Sequence, residues 1–258
     1  WATNLSQGVS AVLCAGYIFL KVPALVPEKK HWRLTRRDTR YQLQMGIPMA
    51  LQFAITSSGT MIMQSAINLF GSEAVAAYTA ACKVHSLLTQ GMVAMGQTMA
   101  VYSGQNYGKG DAKRIRDGVK AALLIDVIYS VVSAVLVSLL LGVTLGLFFS
   151  GDVDLTVMMP WARTYITICT LFYIPLSTIF IFRNTMQGCG YGLMGGVVEL
   201  VARLSVAMIA MRVHSYALSC FCDPAAWLSA GLFTGVSYLF VMKKIRASLE
   251  PKSVTVQP

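Results

Sequence analysis

Long apolar runs separated by short polar connections most constrain how this chain can fold. The sequence holds one partial run and six full ones, at about 1–20, 44–70, 75–103, 118–149, 157–183, 193–213 and 224–242. A membrane-spanning helix needs about 20 mostly apolar residues, and most of these runs reach that length. They are too long for barrel strands and do not alternate between polar and apolar residues. We therefore predict an all-α polytopic membrane protein.

The connections between the runs alternate in charge, which predicts an orientation. Connections 21–43 and 104–120 and the tail after 242 are rich in Lys and Arg, whereas 71–74 and 150–156 contain neither. Basic loops favour the cytoplasmic side of a membrane. We therefore expect an inner (plasma) membrane protein with its linker 21–43 and its C-terminus in the cytoplasm. The net charge of +10 then needs no nucleic-acid partner to explain it.

The run 44–70 is unusually polar for a membrane helix. It contains Gln52, Thr56, Gln64 and Asn68, together with several further Ser and Thr residues. Such side chains commonly form hydrogen bonds between membrane helices. They would equally suit a helix that lines a water-filled cavity, and one helix alone does not separate these two possibilities. We take the four named residues as candidates for a solute or ion pathway.

Charged residues inside the runs are the second set of candidates. Glu199 and Arg203 stand four residues apart, roughly 10 and 15 Å inside the run 193–213. Ionisable residues within a membrane usually face the bundle interior and mark pathways, although a structural ion pair is the alternative. Lys83 is expected to pair with Glu199, the one carboxylate predicted well inside a run. Asp126 is expected nearer the interface.

A glycine-rich segment follows the run 75–103 and is predicted to lead into a basic loop. Its motif residues are Gly104, Gln105, Asn106 and Gly108. A phosphate-binding loop would need a Gly-Lys-Ser/Thr sequence between a strand and a helix, which this segment lacks. The sequence also contains no pattern typical of a metal site, a cofactor site or a catalytic nucleophile. We therefore expect neither an enzyme nor a metalloprotein.

Several short motifs, in this order, resemble the second half of the MATE (multidrug and toxin extrusion) transporters. They are Gly46-Ile47-Pro48, Ala76-Ala77-Tyr78 leading to Lys83, Gly104–Gly108, Arg183 followed by Gln187-Gly188, Glu199 with Arg203, and Pro224–Trp227. One departure is that 44–70 contains no acid, and Thr56 stands about where sodium-linked members place one. That departure argues against a sodium site of this kind.

The resemblance implies one six-helix lobe of a twelve-helix transporter, together with the preceding helix. Residues 1–20 would be the partial last helix of the N-lobe, 21–43 the linker, 44–246 the C-lobe and 247–258 a cytoplasmic tail. Because the chain enters an apolar run directly at Trp1, we expect helices one to five of the transporter to be absent from it.

The function implied is that of a secondary-active multidrug antiporter. It would expel cationic amphipathic compounds in exchange for H⁺ or Na⁺, with no cofactor besides the coupling ion. Its expected partners are those small cationic substrates, the lipid bilayer and the missing N-lobe. The alternatives are a flippase for lipid-linked saccharides from the same superfamily and a membrane scaffold that transports nothing.

Overall fold

The chain is helical throughout the part that the computed structural model describes, which is residues 1–23, 26–28, 35–146, 155–192 and 196–249. No strand occurs among those residues. The α-helices are α1 (Ala2–Lys21), α2 (Arg36–Ile67), α3 (Ser72–Lys109), α4 (Ala112–Gly146), α5 (Leu155–Leu171), α6 (Tyr173–Gly188), α7 (Gly196–Val213), α8 (Tyr216–Cys220) and α9 (Cys222–Leu249). A short 3₁₀ helix, Asn68–Phe70, connects α2 to α3.

Two compact units divide between Gln44 and Met45. The first contains α1 and the start of α2, and the second contains all later helices. Because α2 begins at Arg36, the last residues of the predicted linker 21–43 are helical. Within the predicted tail 247–258, helix α9 reaches Leu249, and 250–258 lie outside the described residues.

The predicted run 157–183 is two helices rather than one. Helices α5 and α6 meet at a bend of 50°, with Phe172 between them. Pro175 explains the break, because its ring would clash with the carbonyl of Leu171 in a continuous helix. In α6 it is the third residue, where a missing N–H leaves no hydrogen bond unmade. Since α6 then extends to Gly188, Arg183 lies within a helix and not at its end.

The glycine-rich motif also differs from the prediction. Gly104, Gln105, Asn106 and Gly108 all belong to α3, and the turn begins only at Gly110. Gly110 has a φ of 82°, a left-handed conformation that glycine adopts without steric cost. These motif residues therefore belong to a helix end, and Asn106 uses its side-chain amide to donate to the Tyr102 carbonyl at 2.7 Å.

Helix α4 shows the polarity of a membrane helix. Its inward face recurs every three or four residues and includes the polar side chains of Asp126, Ser130 and Ser133. Its outward face exposes only large aliphatic side chains over the same stretch, among them Ile128 and Val135. An apolar outer face and a polar inner face reverse the pattern of a water-soluble helix. This arrangement fits a helix whose solvent is lipid.

Among the described residues, three segments are long and apolar enough to cross a membrane, namely Ala2–Lys21, Ala112–Gly146 and Tyr216–Leu249. The bent pair α5–α6 raises the number to four when counted as one span. Helix α7 falls short because it contains Glu199, Arg203 and Arg212. Helices α2 and α3 carry many polar residues, and several of these face the cavity described below.

Helix α3 lies at the centre of the bundle, packed against α4, α5 and α6. Its buried face is built from small residues, chiefly Ala74, Ala77, Ala80 and Ala81. Small side chains let membrane helices approach closely, which replaces the hydrophobic driving force that lipid does not supply. Helix α9 packs against α6 and α7 and completes the part of the bundle that surrounds the cavity.

Candidate functional site

A cavity of about 530 Å³ lies among α2, α3, α5, α6, α7 and α9. Its volume is within the range of roughly 300–1,000 Å³ typical of small-molecule sites. Several lining residues are exposed, including Thr60, Met61, Thr79 and Ser86, so the cavity opens to the surface of this unit. It therefore has the size and the access that a drug-sized ligand requires.

Aromatic side chains form the inner wall of the cavity. Tyr78 and Tyr165 meet edge to face with ring centroids 5.0 Å apart, and Phe180 and Trp227 also line the space. The Trp227 indole stacks on the imidazole of His85 with centroids 5.7 Å apart and planes 10° apart. Such rings present large flat surfaces for binding at little conformational cost.

His85 is held in place by hydrogen bonding as well as by stacking. Its Nδ1 lies 3.0 Å from the hydroxyl oxygen of Tyr173, whose ring is fully buried. The imidazole is thus fixed between one residue of α6 and one of α9. We regard His85 as a rigid part of the aromatic wall.

An ion pair between α7 and α9 borders the cavity. Nε of Arg203 lies 2.8 Å from Oδ1 of Asp223, and both residues line the space. Only 3% of Arg203 and 8% of Asp223 is exposed, so neither charge is hydrated. A pair of opposite charges with a direct hydrogen bond is the arrangement in which buried charges are tolerated.

Gly59 of α2 makes room for this arginine. A Cβ at position 59 would collide with the guanidinium of Arg203 and would lie 2.8 Å from its Cδ. Despite this close fit, Nη1 of Arg203 is buried and has no hydrogen-bond partner among the described residues. The arginine therefore retains an unused donor in the interior.

A second ion pair joins α6 to α7. Nη1 of Arg183 lies 3.7 Å from Oε1 of Glu199, and the Glu199 side chain is 7% exposed. The side-chain carbonyl of Gln52 accepts from Arg183 Nη1, and it lies 3.3 Å from Nε. The hydroxyl of Thr56 interacts with the Glu199 carboxylate. These four residues bring α2, α6 and α7 together beside the cavity.

The predicted pathway residues thus divide into two groups. Gln64, Lys83 and Arg203 line the cavity, whereas Glu199, Gln52 and Thr56 form the neighbouring cluster. Asn68 belongs to neither group: it lies in the 3₁₀ helix and accepts from Gln64 at 3.1 Å.

Two expectations about the charged partners were wrong. Glu199 pairs with Arg183 rather than with Lys83, and Arg203 takes Asp223 rather than Glu199. Depth along a helix suggested the first pairing, but helix rotation decides which residues meet, and Lys83 lies on the exposed side of α3.

Two carboxylates also lie deeper than their sequence positions indicated. Asp126 is 1% exposed on the inward face of α4, and its Oδ2 has no hydrogen-bond partner among the described residues. Asp223 is the second residue of α9 and is buried, so Glu199 is not the only interior acid. Asp223 escaped notice because an acid at the edge of an apolar run resembles a solvated loop residue.

Comparison with known proteins now adds the family. The MatE family model matches residues 48–211, more than half of the chain. A probable multidrug resistance protein of Bacillus subtilis, YpnP, is 29% identical over 117 residues, which is 45% of this chain and 25% of the relative. The probable multidrug resistance protein NorM of Brucella suis is 29% identical over 132 residues, covering 51% and 28% respectively.

Solved structures match almost the entire chain. An outward-facing multidrug resistance MATE transporter aligns with a TM-score of 0.83 at 16% identity, over 96% of this chain and 56% of that one. A transporter of the MOP superfamily from Pyrococcus furiosus aligns with a TM-score of 0.80 at 20% identity, with the same coverages. The chain thus spans about half the length of these transporters and a smaller share of the curated relatives.

These matches confirm the predicted fold class, an all-α polytopic membrane protein with the architecture of one lobe and the preceding helix. The match to the family model is what decides membership, since likeness at such low identity establishes only the fold. The chain belongs to the MatE family of multidrug transporters.

Proposed function

We propose that this chain forms the C-terminal lobe of a secondary-active exporter. In this proposal, amphipathic compounds leave the cell in exchange for inward movement of H⁺ or Na⁺, and the opposite wall of the pathway comes from a second lobe. The observation that carries the proposal is the cavity of about 530 Å³, which combines an aromatic wall with buried charges. Aromatic faces attract organic cations, so cationic amphipathic compounds are suitable ligands for it.

The charge pattern of the connections supports a plasma (inner) membrane location with the linker and C-terminus in the cytoplasm. Export then moves compounds away from the side where the basic segments lie. A flippase for lipid-linked saccharides is less suited to the cavity, because a polyprenyl-linked saccharide exceeds a drug-sized space.

Filling the cavity should block export. We expect Ser86→Phe to lower the initial rate of efflux of a cationic dye to below about a tenth, corresponding to roughly 1.4 kcal/mol or more. Ser86 is exposed on the cavity side of α3, and its hydroxyl donates to the Cys82 carbonyl at 2.8 Å. The measurement is dye transport by everted membrane vesicles containing the complete gene product.

Ser138→Phe is the matched control for this experiment. Ser138 is likewise exposed on a helix and donates to the carbonyl four residues earlier, at 2.7 Å, but it lies on α4 away from the cavity. It should leave the rate nearly unchanged. Equal effects of the two substitutions, or vesicles that accumulate no dye under either ion gradient, would count against the proposal.

We assign the ion-coupling step to Glu199. It lies beside the cavity, is not one of its lining residues, and is paired with Arg183. A proton bound by Glu199 would cancel its charge and weaken that pair, which would loosen α6 from α7. Coupling through a buried carboxylate that alternates between two partners is physically reasonable in a membrane interior.

Glu199→Gln should therefore uncouple transport from the ion gradient. The amide keeps the shape of the carboxyl group but neither binds a proton nor balances Arg183. We expect gradient-driven accumulation of the dye to fall at least about tenfold, while dye binding by the purified protein changes by less than about threefold. Normal expression with undiminished gradient-driven efflux would exclude Glu199 from the coupling step.

A further inference from the structure

The charges that line the cavity do not balance. The cationic residues are Lys83 and Arg203, and Asp223 is the one carboxylate among the described lining residues. Asp223 is occupied by Arg203 at 2.8 Å. Lys83 forms no ion pair with any described carboxylate, so a positive charge remains exposed inside the space.

Arg203 adds a second unused donor. One edge of its guanidinium contacts Asp223, while Nη1 is buried and lacks a hydrogen-bond partner within the described ranges. A buried donor without a partner costs about 1–3 kcal/mol, so an acceptor supplied by a ligand would remove that cost. Guanidinium and ammonium groups are together suited to a carboxylate.

We propose that Lys83 and Arg203 form an anion subsite that binds the carboxylate of an amphipathic aromatic substrate. The aromatic body lies against Tyr78 and Trp227, and the acidic group is directed towards Lys83. Zwitterions and acids therefore join the cations as substrates. This inference rests on the proposed function and defines the class of substrate that its cavity accepts.

The cavity volume decides between two sources of the anionic group. About 530 Å³ accommodates a molecule of a few fused rings, whereas a lipid pyrophosphate would also need room for its sugar chain. The occupant is therefore a small aromatic acid. Competition by vesicles containing a pyrophosphate-headed lipid is the outcome that would overturn this choice.

A matched pair of dyes tests the subsite. A xanthene dye with a free carboxylate is a zwitterion, while its ethyl ester has the same ring system and is a cation. We expect the purified protein in lipid nanodiscs to lose about tenfold in affinity for the acid on Lys83→Gln, and its affinity for the ester to stay within about twofold. Lys83→Glu should reverse the preference and favour the ester. Fluorescence polarisation measures both affinities.

The control is Lys113→Glu. Lys113 is exposed near the start of α4 and does not line the cavity, so the same charge reversal there should leave the ratio of the two affinities unchanged. Because Lys83 is also exposed, its variants should fold, and thermal unfolding of each variant checks this.

Binding and transport separate the two proposals. If the acid binds through Lys83 but is not transported by vesicles, the subsite stands and the proposed function fails. If both dyes are transported and Lys83→Glu leaves their ratio unchanged, the function stands and the subsite is wrong. If the purified protein binds neither dye, the subsite is wrong as well.

Discussion

Replacing Asp223 with alanine is expected to lower the free energy of unfolding by about 3–5 kcal/mol and to stop dye export. The reason is that Arg203 would keep its charge at 3% exposure with no carboxylate beside it. Its Nη1 already lacks a partner, so the guanidinium would have two unsatisfied edges in the interior. The midpoint of thermal unfolding in detergent measures the loss, and vesicle transport measures the function.

The partner residue should behave in the same way. Arg203→Ala leaves the carboxylate of Asp223 buried and alone, so a loss of similar size is expected. Arg212→Ala on the same helix is the control, because Arg212 is exposed at the last turn of α7. It should change the unfolding midpoint by no more than about 0.5 kcal/mol equivalent.

Removing both charges separates stability from function. The double variant Arg203→Met with Asp223→Leu leaves no buried charge, and such replacements are often neutral or stabilising. We expect most of the stability to return while export stays low, since both residues line the cavity. A double-mutant cycle then isolates the pair. Single substitutions no more damaging than Arg212→Ala would show that the pair does not hold α7 to α9.

Much of this architecture can be predicted from the sequence because the underlying signals are local. Apolar length sets each helix within a few residues, and the polar content of 44–70 correctly identified the helix that contributes Gln52 and Thr56 to an interior cluster. The bend was missed although Pro175 was visible, because an apolar window of about 20 residues averages over a single break.

The partners of each charge could not be predicted in this way. Arg203 and Asp223 are 20 residues apart in sequence and lie on different helices, and their pairing depends on how α7 and α9 are rotated. Nothing in a single sequence specifies that rotation. The same limit hid Arg183, which the run 157–183 placed at a helix end, and it led to the wrong partner for Lys83.

Gly188→Ala is expected to destabilise the protein by about 1–3 kcal/mol, although only one methyl group is added. Helices α3 and α6 cross closely at this point. A Cβ at position 188 would collide with the carbonyl oxygen of Ala100, and it would lie 2.9 Å from the carbonyl carbon and 3.0 Å from the Cα. Backbone atoms cannot rotate away as a side chain can, so the two helices must separate.

The glycine-rich motif gains a structural explanation from the same contact. A Cβ at Gly104 would lie 3.0 Å from the carbonyl oxygen of Gly188, so two glycines face each other where α3 and α6 cross. Gly104→Ala should therefore destabilise in the same direction but by less than Gly188→Ala. The unfolding midpoint of each variant in detergent gives the order.

Gly108 supplies the matched control for this prediction. It lies in α3 one turn after Gly104, and a Cβ there would meet nothing within 4 Å. Gly108→Ala should be neutral or stabilising by up to about 1 kcal/mol, because alanine favours a helix over glycine. If the three substitutions shifted the midpoint equally, helix propensity alone would explain them and the close crossing would not be needed.

The crossing should also affect transport through Arg183. That residue lies five positions before Gly188 on α6, about 7.5 Å along the helix, and it holds Glu199 of α7 at 3.7 Å. Moving α6 away from α3 displaces Arg183 from its partners Glu199 and Gln52. Gly188→Ala should therefore reduce gradient-driven export at temperatures well below its unfolding midpoint, whereas Gly108→Ala should not. A folded Gly188→Ala protein with full transport would mean that the position of α6 is not critical for coupling.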